Sequence, residues 1–509
     1  MSSLTPCGVG PGGEAEPASE PGDTVSIKAL SSLLVQVLEG SIRPFLPSIN
    51  GKLNLYIRYL RRKPGRGLSI VYAADAAKVG HAGHGPDHDR WVTVTVDEAA
   101  LAGTRIRFSA QQVREAQIES QAPGILTIAN LGFAVQVFPA DNGLPALAAS
   151  LATAQDGPLF TPLEAAARIQ LSDRGWHLRS AKAEPVRYKP SSRCVIRYTL
   201  HLDKESAGRV IPRDLSIFGK TYGDPEKARA VQANLQQLYG LQAQTHQPNI
   251  PRPLGTVEAL GLTLTETVQS AEDADAQALR TGLQVLQPRV IKGPDGAVLD
   301  VVIPDVELTV TAYALARLHT SAVQPDGSPR SGAKEAKRAS ERAALIATYC
   351  PVLAQRARRL AEELAKCLQP LQPDNYRPAH GAFKSSQLLF CGKRVFVVDL
   401  DGFCLADPAL DVGYFLAYLR PNGLWYQRPG TRRRFECGAS TFVKAYGKAL
   451  RERGFDSATV SGILQRSRLY EAATLFKIAT RRVNRLNSPR SGELAAMLTE
   501  IEACIADGQ

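Results

Sequence analysis

Residues 377–413 constrain the fold more than any other stretch. They read Arg377-Pro-Ala-His-Gly-Ala-Phe-Lys-Ser-Ser-Gln-Leu-Leu-Phe390, a turn at Cys391–Arg394, then Val395-Phe-Val-Val-Asp-Leu-Asp-Gly-Phe403 and Ala406-Asp-Pro-Ala-Leu-Asp-Val-Gly413. The pattern predicts a polar loop, a short strand, a tight turn and a second strand that ends on Asp399 and Asp401. Val395–Val398 is wholly β-branched or aromatic, which suits a buried strand. A carboxylate at the end of such a strand is held rigidly and is well placed to bind a cation.

His-Gly-x-Phe-Lys-x-x-Gln, then Val-Val-Asp-x-Asp-Gly and Asp-Pro-x-x-Asp, resembles the core of the aminoglycoside phosphotransferase and choline kinase-like family. That family shares the protein-kinase fold. The resemblance implies an α+β, two-lobed protein-kinase-like fold with a small β-rich N-lobe and a helical C-lobe. It also implies ATP and Mg2+ as cofactors and a small-molecule acceptor. Two positions depart from the family pattern. Ala382 stands where the family has its catalytic Asp, and Gln387 where it has a metal-binding Asn.

At 509 residues the chain is long enough for two or three domains. A hydrophobic content of 44% and a charged content of 22% are globular values. The net charge of +12 and the pI of 9.3 suit anionic partners, or simply a solvated basic surface. No apolar run reaches the roughly 18–20 residues of a membrane span, and the N-terminus lacks a secretory pattern. Eight cysteines without a C-x-x-C pair suit reduced thiols and a cytoplasmic protein.

Along the chain, residues 1–25 have the composition of a disordered tail. A helix is expected over 26–42 and a hairpin over 53–72. Segment 81–88 holds three histidines, His81, His84 and His88, in a Gly-rich loop whose spacing fits no standard metal site. A second hairpin is expected over 186–202. Lys63-Pro64 with Tyr72 and Lys189-Pro190 with Tyr198 share one spacing. Asn130-Leu131-Gly132-Phe133 also echoes Ala259-Leu260-Gly261-Leu262. Two readings fit: an internal duplication, with a degenerate copy of the N-lobe preceding the true one, or unrelated hairpins with convergent turns. The expected division is a 26–150 α+β domain, a helical linker over 151–183, an N-lobe over 184–268 and a C-lobe over 269–509. Helices are expected near 306–319, over 333–368 with an interruption near Pro351, and near 410–419, 431–454, 457–486 and 491–506.

The resemblance implies roles for particular residues. Lys220, on the strand Leu215–Tyr222, is expected at the α/β-phosphates, with Glu226 a weak candidate to pair it. Asp399 and Gln387 are expected at the metal, and Asp401 beside them or as a substitute base. Lys384 is expected near the transferring phosphoryl group. Lys189 and Arg193 flank the turn where kinases have a Gly-rich flap, and charge replaces the absent glycines there. Backbone at Glu266–Val268 corresponds to the adenine hinge. His380 and Asp411 read as braces. Lys220 and Asp399 are expected to face each other across one cleft. Two functions follow: an ATP-dependent small-molecule phosphotransferase, slowed by Ala382, or a pseudokinase that binds nucleotide without turnover. Arg432-Arg433-Arg434 and Arg481-Arg482 raise nucleic-acid binding, but they lie in helical segments without aromatic interleaving, which favours a solvated face.

Overall fold

The computed structural model describes residues 24–47, 49, 53–63, 67–75, 90–102, 105–107, 111–112, 115–245, 250–268, 289–292, 298–302, 305–371, 376–391, 394–419, 431–484 and 491–509. Two compact units emerge. The first comprises Met1–Arg229, Leu254–Thr265 and Asn484–Asn487; the second comprises Ala230–Pro253, Glu266–Val483 and Ser488–Gln509.

In the first unit, β1 (Thr24–Ser26) leads into α1 (Ile27–Ile42). Leu30, Leu34, Leu38 and Ile42 recur at helical spacing and are buried against a six-stranded sheet. That sheet contains β2 (Asn54–Lys63), β3 (Gly67–Asp75), β4 (Trp91–Val96), β7 (Ile118–Ala122), β8 (Ile125–Ile128) and β9 (Phe133–Val137), in the order β2-β3-β4-β9-β8-β7. A small sheet joins β1 to β5 (Leu101–Ala102) and β6 (Arg105–Arg107). After α2 (Leu147–Leu151) and α3 (Phe160–Leu171) comes a five-stranded sheet. Its strands are β10 (Trp176–Lys189), β11 (Arg193–Ser206), β12 (Arg209–Tyr222), β13 (Pro253–Val257) and β14 (Leu262–Glu266), in the order β10-β11-β12-β14-β13.

The two sheets repeat one topology. With the edge strand β7 set aside, five strands follow the same path in each. Each has a 3-10 turn before its fourth-placed strand, closed by a left-handed glycine, Gly132 at φ 65° and Gly261 at φ 53°. The register matches as well. Lys220 pairs with Val195, three residues before Tyr198, and Thr95 pairs with Ser69, three residues before Tyr72. Thr95 thus occupies in the first sheet the position of Lys220 in the second.

One expectation needs correction. The span 151–183 is not a helical linker: α3 ends at Leu171 and β10 begins at Trp176. Trp176 and Leu178 alternate with exposed His177, so the first residues of β10 bury one side of a strand. The 81–88 histidine segment lies outside the described residues.

The second unit is mainly helical: α5 (Asp305–His319), α6 (Gly332–Tyr349), α7 (Ala354–Leu368), α8 (Ala409–Leu419), α9 (Thr431–Arg451), α10 (Ser457–Asn484) and α11 (Leu494–Gly508). The preceding α4 (Pro225–Thr245) begins in the first unit and continues into the second. The break between α6 and α7 falls at Pro351, which lacks the N–H that would continue a helix. Strands β15 (Arg289–Lys292) and β16 (Val298–Val302) form a hairpin, β17 (Arg377–Ala379) pairs with β20 (Cys404–Ala406), and β18 (Leu388–Cys391) pairs with β19 (Arg394–Val397). The core is aromatic, with Phe415 stacked on Phe442 at 4.2 Å between ring centres. No helix among the described residues is long and apolar enough to cross a membrane.

Candidate active site

The loop His380–Lys384 leaves β17 and returns through a 3-10 turn at Ser385–Gln387 into β18. Gly381 has φ +75°, and a Cβ there would lie 2.2 Å from the carbonyl oxygen of Gly402, so no other residue fits this position unchanged. The buried carboxylate of Asp411 fixes the loop. It accepts from the His380 N–H at 2.6 Å and the Phe383 N–H at 3.4 Å, and from His319 Nε2 at 3.3 Å. A carboxylate only accepts, so His319 carries its proton on Nε2. Burial pushes the Asp411 carboxyl up, but the His319 hydrogen bond and charge and the His380 contacts outweigh it and hold it below the usual range. His380 Nε2 donates to Val398 O at 3.0 Å, tying the loop to the end of β19. The bracing roles expected of His380 and Asp411 therefore fit the geometry.

A second brace was not legible in the sequence. Arg330 donates from Nε to Glu335 at 2.6 Å and from Nη1 to the carbonyl of Gly381. Glu335 is buried and also pairs with Arg338. Burial opposes its charge, yet the Arg330 bond and the nearby guanidiniums bring the carboxyl down to about 2.

The expected metal residues meet. Val398 N donates to Gln387 O at 2.9 Å, so the chain after β19 runs beside the turn that carries Gln387. Gln387 Nε2 donates to Asp399 Oδ2 at 3.3 Å. Gln387 is 3% exposed, and its Oε1 is buried with no hydrogen-bond partner among the described residues. Asp399 lies beyond the end of β19, in the left-handed region at φ 67°. Such backbone in a non-glycine residue is stored strain and concentrates at functional sites. Asp401 follows in the 3-10 turn Leu400–Gly402. The amide nitrogen faces the carboxylate and the amide oxygen has no hydrogen-bond partner; turned over, the amide would set its oxygen toward Asp399, and those two hard oxygens would fit a divalent cation.

Lys384 extends from the loop, with Nζ 5.3 Å from the ring centre of Tyr418 on α8. Lys477 on α10, absent from the sequence-based candidates, donates to Tyr414 OH at 2.6 Å. Burial first, and then Arg481, Arg342, Arg330 and Lys384, pull its ammonium down to about 7. A lysine in a helix beside further basic residues reads as a solvated face, and that is why it went unseen. The one sequence signal was Lys477 and Arg481 at a four-residue spacing.

In the first unit, Lys220 sits on β12, half-buried, with Nζ 5.5 Å from the Tyr222 ring centre. Glu226 does not supply its partner: it pairs with Arg229 at the exposed start of α4, where three-residue helical spacing brings the two together. Lys189 and Arg193 close the β10–β11 turn as a cross-strand pair. Between them, Ser191 at φ 55° gives its N–H to Asp141 Oδ2 at 2.7 Å, and Tyr188 OH donates to the same oxygen at 2.6 Å. The β10–β11 turn is thus pinned by a residue that follows the first sheet. Glu266 ends β14. Its N–H donates to Arg252 O at 2.9 Å and its Oε1 accepts from Arg252 N at 2.8 Å; Val268 follows, half-buried.

Within the second unit, the loop after β17, the β18–β19 hairpin and the turn after it bring Gln387, Asp399 and Asp411 to the 380–384 loop, and Ala382 stands in that loop. Residues 215–454 match the sequence model of the phosphotransferase enzyme family, which bears out the motif resemblance across that segment. Among solved structures, a putative aminoglycoside phosphotransferase from Ralstonia eutropha is 15% identical, over 68% of this chain and 98% of its own, with a TM-score of 0.41. A choline/ethanolamine kinase family protein from Mesorhizobium loti is 13% identical, over 61% and 88%, at 0.36. An amicoumacin kinase in complex with AMP-PNP, Ca2+ and Ami is 14% identical, over 60% and 85%, at 0.37. No curated protein matches the sequence.

Proposed function

We propose that the chain binds ATP with Mg2+ and transfers the γ-phosphoryl group slowly to a small-molecule acceptor. The observation that carries this reading is the Gln387–Asp399 contact, made by the amide nitrogen, with the amide oxygen buried and without a hydrogen-bond partner. A divalent cation, when bound, supplies charge neutralisation at the phosphate oxygens. Asp399 and Gln387 would hold it, with Asp401 orienting Asp399. Lys220 would hold the α/β-phosphates, Lys189 and Arg193 would add charge at the flap, and the backbone at Glu266–Val268 would meet the base. Lys384 would face the transferring group.

In the transfer, the acceptor oxygen bonds to phosphorus as the bond to the leaving diphosphate breaks. At position 382 a methyl group cannot take the acceptor's proton, which passes to water. Losing a general base costs about 10²–10⁴-fold. Phosphoryl transfer runs mainly on positioning and electrostatics, and those contributions survive.

Ala382 also favours a second reading, a nucleotide-binding module without turnover. Thermal shift with ATP–Mg2+, run beside product detection, separates the two. Slow transfer predicts a shift and a phosphorylated product in the wild type, with both lost in Asp399→Asn and Lys220→Ala. A shift without product supports the module, and no shift at all overturns both.

A further inference from the structure

One face of the first sheet is occupied by the second. On β4, Val92, Val94 and Val96 point into the core beneath α1, so Trp91, Thr93 and Thr95 point to the opposite side. On β9, Gln136 pairs with Thr93 and shares that side. The Phe138 N–H donates to Trp91 O at 2.9 Å, which sets Phe138 beside Trp91. Thr95 is the register counterpart of Lys220, so this face corresponds to the one that carries the lysine in the second sheet.

The β10–β11 turn packs on it. The Tyr188 ring centre lies 5.0 Å from that of Phe138 and 5.8 Å from that of Trp91. Gln136 Nε2 donates to Ser191 Oγ at 3.5 Å, and Gln136 Oε1 accepts from Asn142 N at 3.0 Å. Asp141 takes the Ser191 N–H and the Tyr188 hydroxyl on Oδ2 and the Gly143 N–H on Oδ1. Burial, and then the Asp141 charge, push the Tyr188 hydroxyl up, so it stays a donor. Gly143 lies against the turn itself: a Cβ there would come 2.5 Å from Ser191 Cα. Its carbonyl is packed as tightly on Gly223, just past β12, where a Cβ would meet that oxygen. The segment therefore has little room to retreat from the turn. All of these residues belong to the first unit.

We propose that this face of the first sheet, with segment 138–143, is a mount for the β10–β11 turn, and that Gln136, Asp141 and Gly143 are positioning residues acting through the turn on Lys189 and Arg193. The mount stands on the contacts alone; its consequence for nucleotide rests on the phosphotransferase reading. Lys189 and Arg193 pair across the turn, so the mount fixes the spacing of the two cations. A turn that is already ordered gives up less freedom when phosphate arrives than a hairpin tip that must be ordered by its ligand. The first sheet, with Thr95 in place of a lysine, thereby serves the second as support rather than as another nucleotide site.

The test uses the full-length protein and two variants. Gly143→Ala adds a methyl group that must displace the turn, and Gln136→Met keeps the side chain's bulk while removing both amide hydrogen bonds. Amide exchange at 189–193 reads the mount. Calorimetry with ATP–Mg2+ and, separately, with adenosine reads its consequence. Exchange at 189–193 should rise about tenfold or more in Gly143→Ala and severalfold in Gln136→Met, while 92–96 and 196–202 stay protected. ATP–Mg2+ affinity should fall about tenfold in Gly143→Ala while adenosine affinity holds, since the turn acts on phosphate. If Gly143→Ala does not fold, Gln136→Met decides, with the same pattern at smaller amplitude. Unchanged exchange at 189–193 in both variants overturns the mount. Faster exchange with unchanged ATP–Mg2+ affinity, or equal losses for ATP–Mg2+ and adenosine, overturns the positioning role. A wild type that binds neither ligand removes the phosphotransferase reading, and exchange alone then decides the mount.

Discussion

Gln387 and Asp399, twelve residues apart, meet through an Nε2–Oδ2 hydrogen bond of 3.3 Å at the end of the β18–β19 hairpin. The contact sets the cleanest test of the metal corner. Asp399 has left-handed backbone, where asparagine is tolerated nearly as well as aspartate and alanine is not. Asp399→Asn should therefore keep the fold while weakening Mg2+-dependent nucleotide binding at least about tenfold, as expected for a lost charge-assisted contact. Asp399→Ala should lose binding and, in addition, roughly 1–2 kcal/mol of stability. Chemical denaturation beside nucleotide titration separates the two effects. Equal nucleotide affinity in wild type and Asp399→Asn would remove Asp399 from the site.

Glu335 ties acid stability to the catalytic loop. Its folded carboxyl is held down at about 2, against an ordinary 4.5. A depressed carboxylate stabilises the folded state fully above the ordinary value, and the contribution fades as pH falls from about 4.5 toward 2. At 2% exposure little solvent screening intervenes, and the difference amounts to about 3 kcal/mol. Glu335→Gln should lower stability at pH 7 by about that order and flatten the pH profile between pH 5 and 3. Urea unfolding across that range checks it, and a parallel downward offset at every pH would place the loss in packing instead.

Asp411 should behave more severely. Its carboxylate is fully buried and serves two loop N–H groups and His319. Asp411→Ala leaves all three donors unpaired and should cost about 3–5 kcal/mol. Hydrogen exchange at residues 380–383 should rise with it. Intact protection there, in a folded variant, would mean that the loop is held by other contacts.

The sequence made the loop, the hairpin and the helical half readable for different reasons. Motif order singled out Asp399 and Asp411 by residue type and spacing, and Gln387 by its spacing alone, since its type departs from the pattern. Helix ends were readable where caps and breakers mark them, as at Pro351. The repeated lobe was legible in two turn echoes, and the shared strand order and the Thr95–Lys220 register support the duplication reading. The start of β10 at Trp176 was missed because exposed residues break the alternation after Leu178. Long-range partners stayed hidden altogether. Neither the pairing of Arg330 with Gly381 nor that of Asp141 with Ser191 leaves any local pattern, since each depends on where the chain returns.

The Asp141 contact has its own consequence. One carboxylate oxygen accepts both the Ser191 N–H and the Tyr188 hydroxyl and the other accepts the Gly143 N–H at 2.8 Å, so Asp141→Ala orphans three donors at once. The expected cost is about 2–4 kcal/mol. Exchange should speed up at 189–193 while β11 residues 196–202 stay protected. If the flap amides exchange equally fast in the wild type, Asp141 does not restrain the turn.

Restoring the missing base is the sharpest test of catalysis. Ala382 is half-buried, between Gly381, whose conformation excludes a side chain, and Phe383, which is buried and anchored to Asp411. The backbone on both sides is therefore held independently of residue 382. Ala382→Asp should add a carboxylate without moving the loop, and phosphoryl transfer should rise by about 10²–10⁴-fold if a general base is all that is lacking. Lys384 and the neighbouring cations favour an ionised carboxylate there, so the gain should be present at neutral pH and fall away below about pH 4. An ATP–Mg2+ shift retained in Ala382→Asp with no increase in product would show that the defect is not the base. The geometry at Gln387 would then be the next suspect, and Gln387→Asn in the same background would test it.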